Sequence, residues 1–385
     1  MIMDDFVKSI KDINPYANVA SSGLVSDVKS FLDTGSYVFN ALVSGSIFGG
    51  IASNRITGIA GPQSAGKTYL AVGICELFLA NNKDSRVLYF DSEHAIETKM
   101  LENRNIDLKR FWHLPIESLN DFQIQINKII ELIKQYNNKY DDIKPNNFII
   151  ILDSLGMIPS NKEIKDALSS EPKGDLGLRS KQIKSIFRSI TLKLGVLNIP
   201  MFVTTHTYDK PGSFFPETGV SGGGGLGFAC SIIIELMKPK KQKEGKDVFG
   251  VFLRARVKKS RISREFKEVS LSLHFRTGLD RYYGLLDIAK TVIRKDGRKY
   301  IFPNGERLYE REVMSDPTKY FTISVLRSID VEVQKEFAYY ERNLECVEVG
   351  GVNEKKSVSI TGTIIKEEPG NKSDEDDILE DFELP

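Results

Sequence analysis

Gly61-Pro62-Gln63-Ser64-Ala65-Gly66-Lys67-Thr68 follows a strand-like run, Arg55 to Ala60 (RITGIA), and opens a segment with Leu70, Ile74, Leu77 and Phe78 at helical spacing, Lys67 to about Asn81. The octapeptide fits GxxxxGK[ST] in the strand-loop-helix setting that gives this pattern its meaning. Glycines let the backbone curl until its N–H groups and the helix N-terminus face phosphate. Lys67 then reaches the β and γ phosphates and Thr68 offers an oxygen to Mg²⁺, so ATP with Mg²⁺ is the expected ligand of residues 61–68.

Outward from this loop, strand-like and helix-like segments alternate to Pro200, which predicts a parallel sheet covered by helices. Arg86 to Phe90 (RVLYF) reads as a strand, Asp121 to Gln135 as a periodic helix, and Asn147 to Leu152 (NFIIIL) as a strand buried on both faces. A helix over Arg179 to Leu197 and a strand at Pro200 to Thr204 follow. Asp153 ends an apolar strand, where a Mg²⁺-holding acid belongs, with Ser154 beside it. Asp91-Ser92-Glu93-His94 ends the preceding strand, the edge where open α/β sheets bind ligands, and makes Glu93 the candidate general base. The Gly-rich stretch from Tyr208 to Gly227 is too long for a routine connection. Ser231 to Leu236, Val248 to Val257 and Lys267 to Phe275 are strand candidates expected to extend the same sheet.

The 385 residues carry 41% hydrophobic and 27% charged side chains, an ordinary globular composition. No run approaches the length of a membrane span, the first residues lack a signal-peptide pattern, and three cysteines give no disulfide framework; a cytoplasmic protein is expected. Net charge is +1, yet residues 367–385 hold nine acids against Lys372. That tail, net −8, leaves +9 on the rest of the chain, a balance suited to a polyanionic partner.

Phe90-Asp91-Ser92-Glu93-His94-Ala95-Ile96 resembles the catalytic-glutamate segment of the RecA family, and Thr204-Thr205-His206-Thr207-Tyr208 its entry to the second DNA-binding loop. Asp153-Ser154-Leu155-Gly156, Asp166-Ala167-Leu168, Lys184-Ser185-Ile186-Phe187-Arg188, Lys259-Ser260-Arg261 and Gly284-Leu285-Leu286-Asp287-Ile288-Ala289 resemble the tailed-phage UvsX recombinases, a branch of that family. The resemblance runs from about Thr34 to Ala289 and implies a RecA-like P-loop ATPase core, its mostly parallel twisted sheet extended by antiparallel strands. Around it are expected an N-terminal polymerisation segment (1–33, with Phe6, Ile10 and Ile13 on one helix face), a core over 34–292, a small C-terminal lobe (293–365) and a disordered acidic tail (366–385).

The resemblance further implies roles. Glu93 activates water, His206 senses the γ-phosphate, and Lys259 and Arg261 reach the ATP of a neighbouring subunit. Met100 stands where the family often offers Tyr to adenine. DNA contact is expected from loops at about 161–178 and 208–224, through Lys162, Lys173, Arg179, Lys181, Arg188, Lys210, Phe214, Phe215, Gly222 and Gly223. Cations there meet phosphate without sequence preference, and aromatics stack on unpaired bases. The implied activity is a DNA-dependent ATPase that forms helical filaments on single-stranded DNA and pairs it with duplex, aided by a mediator and a single-strand-binding protein. A hexameric helicase or loader on the same fold is the alternative; Phe214, Phe215 and the glycines of the second loop favour strand exchange.

Overall fold

A computed structural model of the chain describes residues 2–139, 144, 147–168, 177–209, 218–221 and 223–341. Its centre is a sheet of eleven strands among the described residues. From one edge the main order is Gly278–Leu279, Glu268–His274, Asp247–Ser260, Ile232–Leu236, Ile56–Gly61, Met201–Asp209, Phe148–Asp153, Arg86–Asp91 and Phe111–Pro115. The last six are mutually parallel and the first three pair antiparallel. The expected antiparallel extension is therefore present, with a hairpin partner, Lys240–Glu244, on Asp247–Ser260.

Strand periodicity sorts side chains into two cores. Val87, Tyr89, Ile149 and Ile151 point into one cluster, and Leu88, Phe90, Ile150 and Leu152 into the other. Helix Leu119–Lys139 covers the second face with Phe122, Ile126, Ile130 and Ile133, and Leu178–Leu197 joins it with Ile183, Ile186, Phe187, Ile190 and Leu194. Both series recur at three or four residues, so each helix lays one stripe on the sheet. Helix Lys67–Asn81 covers the first face. Each fully buried Leu, Ile or Phe stabilises the fold by about 1.5–3 kcal/mol, which makes this two-sided burial the dominant favourable contribution.

The residues expected as an appended lobe share the first core. After the three-stranded sheet Arg294–Asp296, Lys299–Ile301 and Arg307–Tyr309, helix Ile323–Phe337 brings Leu326, Ile329, Val333 and Phe337 into the cluster that holds Tyr37–Ser44. Asp330 fastens the two: its Oδ1 accepts from Ser46 Oγ and from the Ile47 N–H, both at 2.7 Å. Ile293, Val313, Ile329 and Phe337 thus belong to the same buried cluster as Tyr37–Ser44. Helix Ile2–Ile13 differs: Phe6 is 60% and Ile13 86% exposed, so its apolar face is uncovered. The acidic tail lies outside the described residues.

Candidate nucleotide and DNA sites

Parallel pairing brings the candidate nucleotide-site residues to one end of the sheet. Gly61 lies opposite His206, and Asp91 opposite Asp153; Gly61, Asp91 and Asp153 end their strands, and His206 lies three residues before the end of Met201–Asp209. The loop after Gly61 turns through Gly66 at φ +82 and enters the helix at Lys67. Lys67 folds back over it. Its Nζ donates to the carbonyls of Gly61 (3.2 Å) and Pro62 (2.9 Å) and lies 3.3 Å from His206 Nδ1. Burial pushes its pKa down, against the pull of Glu93 and Asp153. An ammonium held by neutral acceptors beside a ring of backbone N–H groups suits an incoming polyphosphate.

Asp153 is 1% exposed. Its Oδ2 accepts from Thr68 Oγ1 (2.7 Å) and Tyr89 OH (2.8 Å), and its Oδ1 from Thr204 Oγ1. Desolvation raises its pKa, and the bonds from Thr204, Thr68 and Tyr89 pull it back. Glu93 Oε1 accepts from Ser154 Oγ and lies 3.0 Å from His206 Nε2. Since Lys67 can only donate, His206 uses Nδ1 as acceptor and carries its hydrogen on Nε2, toward Glu93. One imidazole thereby bridges Lys67, the candidate phosphate-binding lysine, and Glu93, the candidate base. Met100, in helix Thr98–Glu102, packs half-buried against the first core.

Lys259 and Arg261 lie at the opposite end. Lys259 pairs with Ile233, Ile233 with Gly58, and the Arg261 N–H donates to Ser231 O at 2.9 Å. At roughly 3.3 Å per residue, Arg261 sits on the order of 16 Å from the level of Gly61, out of reach of its own loop. Lys259 Nζ donates to the carbonyls of Cys230 (2.8 Å) and Gly227, and burial lowers its pKa.

The RecA N-terminal domain family profile matches residues 19–280, well over half of the chain. The chain belongs to the RecA family. It is 29% identical over 252 residues to the "Recombination and repair protein" of Enterobacteria phage T4, covering 66% of this chain and 61% of that protein. "Protein RecA" of Syntrophus aciditrophicus (strain SB) is 26% identical over 264 residues, 68% of this chain and 71% of that one. For "Protein RecA" of Thermus aquaticus the figures are 27% over 254 residues, 65% and 69%. The chain thus spans about three fifths of the length of its T4 relative.

The DNA-binding candidates divide. Lys173, Lys210, Phe214, Phe215 and Gly222 lie outside the described residues. Lys162 lies in helix Asn161–Ala167, Gly223 opens helix Gly223–Ala229, and Lys181 is exposed on helix Leu178–Leu197. Arg179 departs from the expectation of a cation free for phosphate: its Nη2 donates to Leu155 O and Gly156 O at 3.0 Å and to Ile158 O at 3.2 Å. Arg179 therefore braces the turn after Asp153. Arg188 lines a surface groove of about 810 Å³ with Tyr16, Leu24, Lys184, Leu192 and Phe228, on the side of the N-terminal segment. Sequence reasoning missed Tyr89, because a tyrosine inside a hydrophobic strand reads as core; only its buried hydroxyl's need for a partner hints at Asp153.

Proposed function

We propose that this RecA-family chain is an ATP-dependent DNA recombinase that polymerises on single-stranded DNA and exchanges it with a homologous duplex. The observation that carries this reading is the bridge Lys67–His206–Glu93. His206 belongs to strand Met201–Asp209, which runs directly into the segment expected to hold DNA, so one side chain touches both ATP-site groups two residues ahead of the expected DNA loop. The names of the T4 and bacterial relatives, a recombination and repair protein and RecA, support the same reading.

In this mechanism the backbone N–H groups of residues 61–68 and the Lys67 ammonium hold the triphosphate. Thr68 and Asp153 offer hard oxygens to Mg²⁺, whose charge, when bound, offsets that on the phosphates. The donor set fits that ion. Glu93 orients water and takes its proton, with Ser154 and His206 fixing the carboxylate. As phosphate draws Lys67 away, His206 loses its partner at Nδ1 and can turn toward phosphoryl oxygen, changing both the Glu93 contact and the start of the loop. Lys259 and Arg261 serve the site of the adjoining subunit, which makes nucleotide part of a head-to-tail interface.

Duplex DNA, further copies of this chain, a mediator and a single-strand-binding protein are the partners of this reading, and the cytoplasm of a phage-infected host its setting. No described helix is long and apolar enough to cross a membrane. Strand exchange between circular single strands and linear duplex, with electron micrographs of the mixtures, tests it. ATP-dependent joint molecules on helical filaments are expected; closed rings without joint molecules would refute it.

A further inference from the structure

The turn that carries Glu93 is held by two side chains that the roles above leave unused. Asp91 ends strand Arg86–Asp91 and is 1% exposed. Its Oδ1 accepts the N–H of Glu93 at 3.0 Å and that of His94 at 2.8 Å. Its Oδ2 lies 3.0 Å from Nε2 of His113, a half-exposed residue on the outermost parallel strand, Phe111–Pro115. The turn needs holding, because His94 sits at φ +51, a region that side-chain-bearing residues enter at a cost.

A second clamp works from the other side. Ser92 N–H donates to Asp153 O (2.9 Å), Ser92 Oγ donates to Ser154 O (2.8 Å), and Ser154 N–H returns a bond to Ser92 Oγ (3.0 Å). The Glu93 backbone is thus gripped between the strand bearing Asp153 and a chain of contacts that ends at His113. Among the described residues, no other donor reaches Asp91 Oδ2.

We infer that Asp91 and His113 form a positioning pair that fixes the Glu93 carboxylate relative to the phosphate site, so that turnover depends on an imidazole at the outer edge of the sheet. The inference rests on the reading of Glu93 as the group that activates water. Neither residue belongs to the Lys67–His206–Glu93 bridge or to the Thr68–Asp153 pair. To serve Oδ2, His113 carries hydrogen on Nε2; without that donor a buried carboxylate oxygen is left short of a partner and rotates or draws in solvent. Rotation relaxes the two N–H bonds at Glu93 and His94, and displacement of a catalytic group by about 1 Å costs on the order of 100-fold in rate.

The test is steady-state ATP hydrolysis at saturating single-stranded DNA by full-length His113→Leu, His113→Gln and Glu93→Gln, with binding of a fluorescent ATP analogue measured alongside. His113→Leu is expected to lower kcat about tenfold while KM and analogue affinity stay within about twofold of wild type. His113→Gln, which keeps an N–H donor, is expected to recover most of kcat. Wild-type kcat in His113→Leu, equal losses in kcat and binding, or a Gln variant no better than Leu would each overturn the pairing. Turnover retained by Glu93→Gln would remove the underlying reading instead, whereas an inactive Glu93→Gln beside an unaffected His113→Leu would remove the positioning pair alone.

Discussion

At the scale of a residue, Asp153, the carboxylate proposed to meet Mg²⁺, is buried and held by hydroxyl groups. Burial raises its pKa and three hydroxyl donors restrain the rise. A metal needs the ionised form, and a raised pKa means that the proton returns at a higher pH than for an ordinary aspartate. Mg²⁺-dependent nucleotide affinity should therefore weaken as pH falls, beginning above the usual carboxylate range. Calorimetric titration of Mg·ATP from about pH 8 to about pH 5 checks this, and a flat profile would contradict it. Tyr89→Phe removes one donor without changing shape. We expect the Mg²⁺ concentration for half-maximal hydrolysis to rise about threefold to tenfold, as loss of roughly 1 kcal/mol implies, with kcat at saturating Mg²⁺ nearly unchanged.

At the scale of elements, the loop geometry leaves little freedom. A Cβ on Gly66 would lie 2.5 Å from Leu273 Cδ2, at a φ of +82 that favours glycine. Gly66→Ala should weaken ATP-analogue binding at least tenfold and lower the melting temperature by a few degrees, as about 1–3 kcal/mol of backbone strain implies. The P-loop, its helix and the buried strands around it were legible because each carries its own period or motif: Lys67–Asn81 begins and ends as the spacing predicts, and Phe148–Asp153 is displaced by one residue from the reading. Phe111–Pro115 was not legible. Trp112 and His113 are exposed on an edge strand that ends in proline, so neither alternation nor a continuous apolar run marks it. Helix Tyr37–Ser44 escaped for the opposite reason: every residue in it is buried, and a helix without a polar face has no amphipathic period.

At the same scale, the candidate site was half legible. Lys67, Thr68, Glu93, Asp153 and His206 follow from motifs, and the structure brings them into one hydrogen-bonded cluster. The supports from Tyr89, Asp91, Ser92 and His113 depend on which strands are neighbours, and adjacency between strands whose paired residues lie 22 to 64 positions apart leaves no local signal. The long-range contacts that turn 293–341 into part of the core, such as Asp330 to Ser46, were hidden likewise.

For the whole molecule, the separation of Lys259 and Arg261 from their own Gly61 means that a complete site needs two subunits in this account. A Lys259→Ala/Arg261→Ala chain and a Glu93→Gln chain, each inactive alone, should regain hydrolysis on mixing with single-stranded DNA, since roughly a quarter of randomly formed head-to-tail interfaces would be intact. No recovery would show that each subunit works with its own cations. Helix Ile2–Ile13 offers Phe6, Ile10 and Ile13 to another surface. Removing residues 1–33 should convert long assemblies into small species in sedimentation with the fold retained, and undiminished assemblies would contradict a polymerisation role.

In the proposed mechanism nucleotide turnover and DNA are coupled through one cluster, and phosphate release by the wild-type chain with and without single-stranded DNA reads that coupling. At least tenfold stimulation by DNA, lost in Glu93→Gln, is expected. Hydrolysis indifferent to DNA would contradict it.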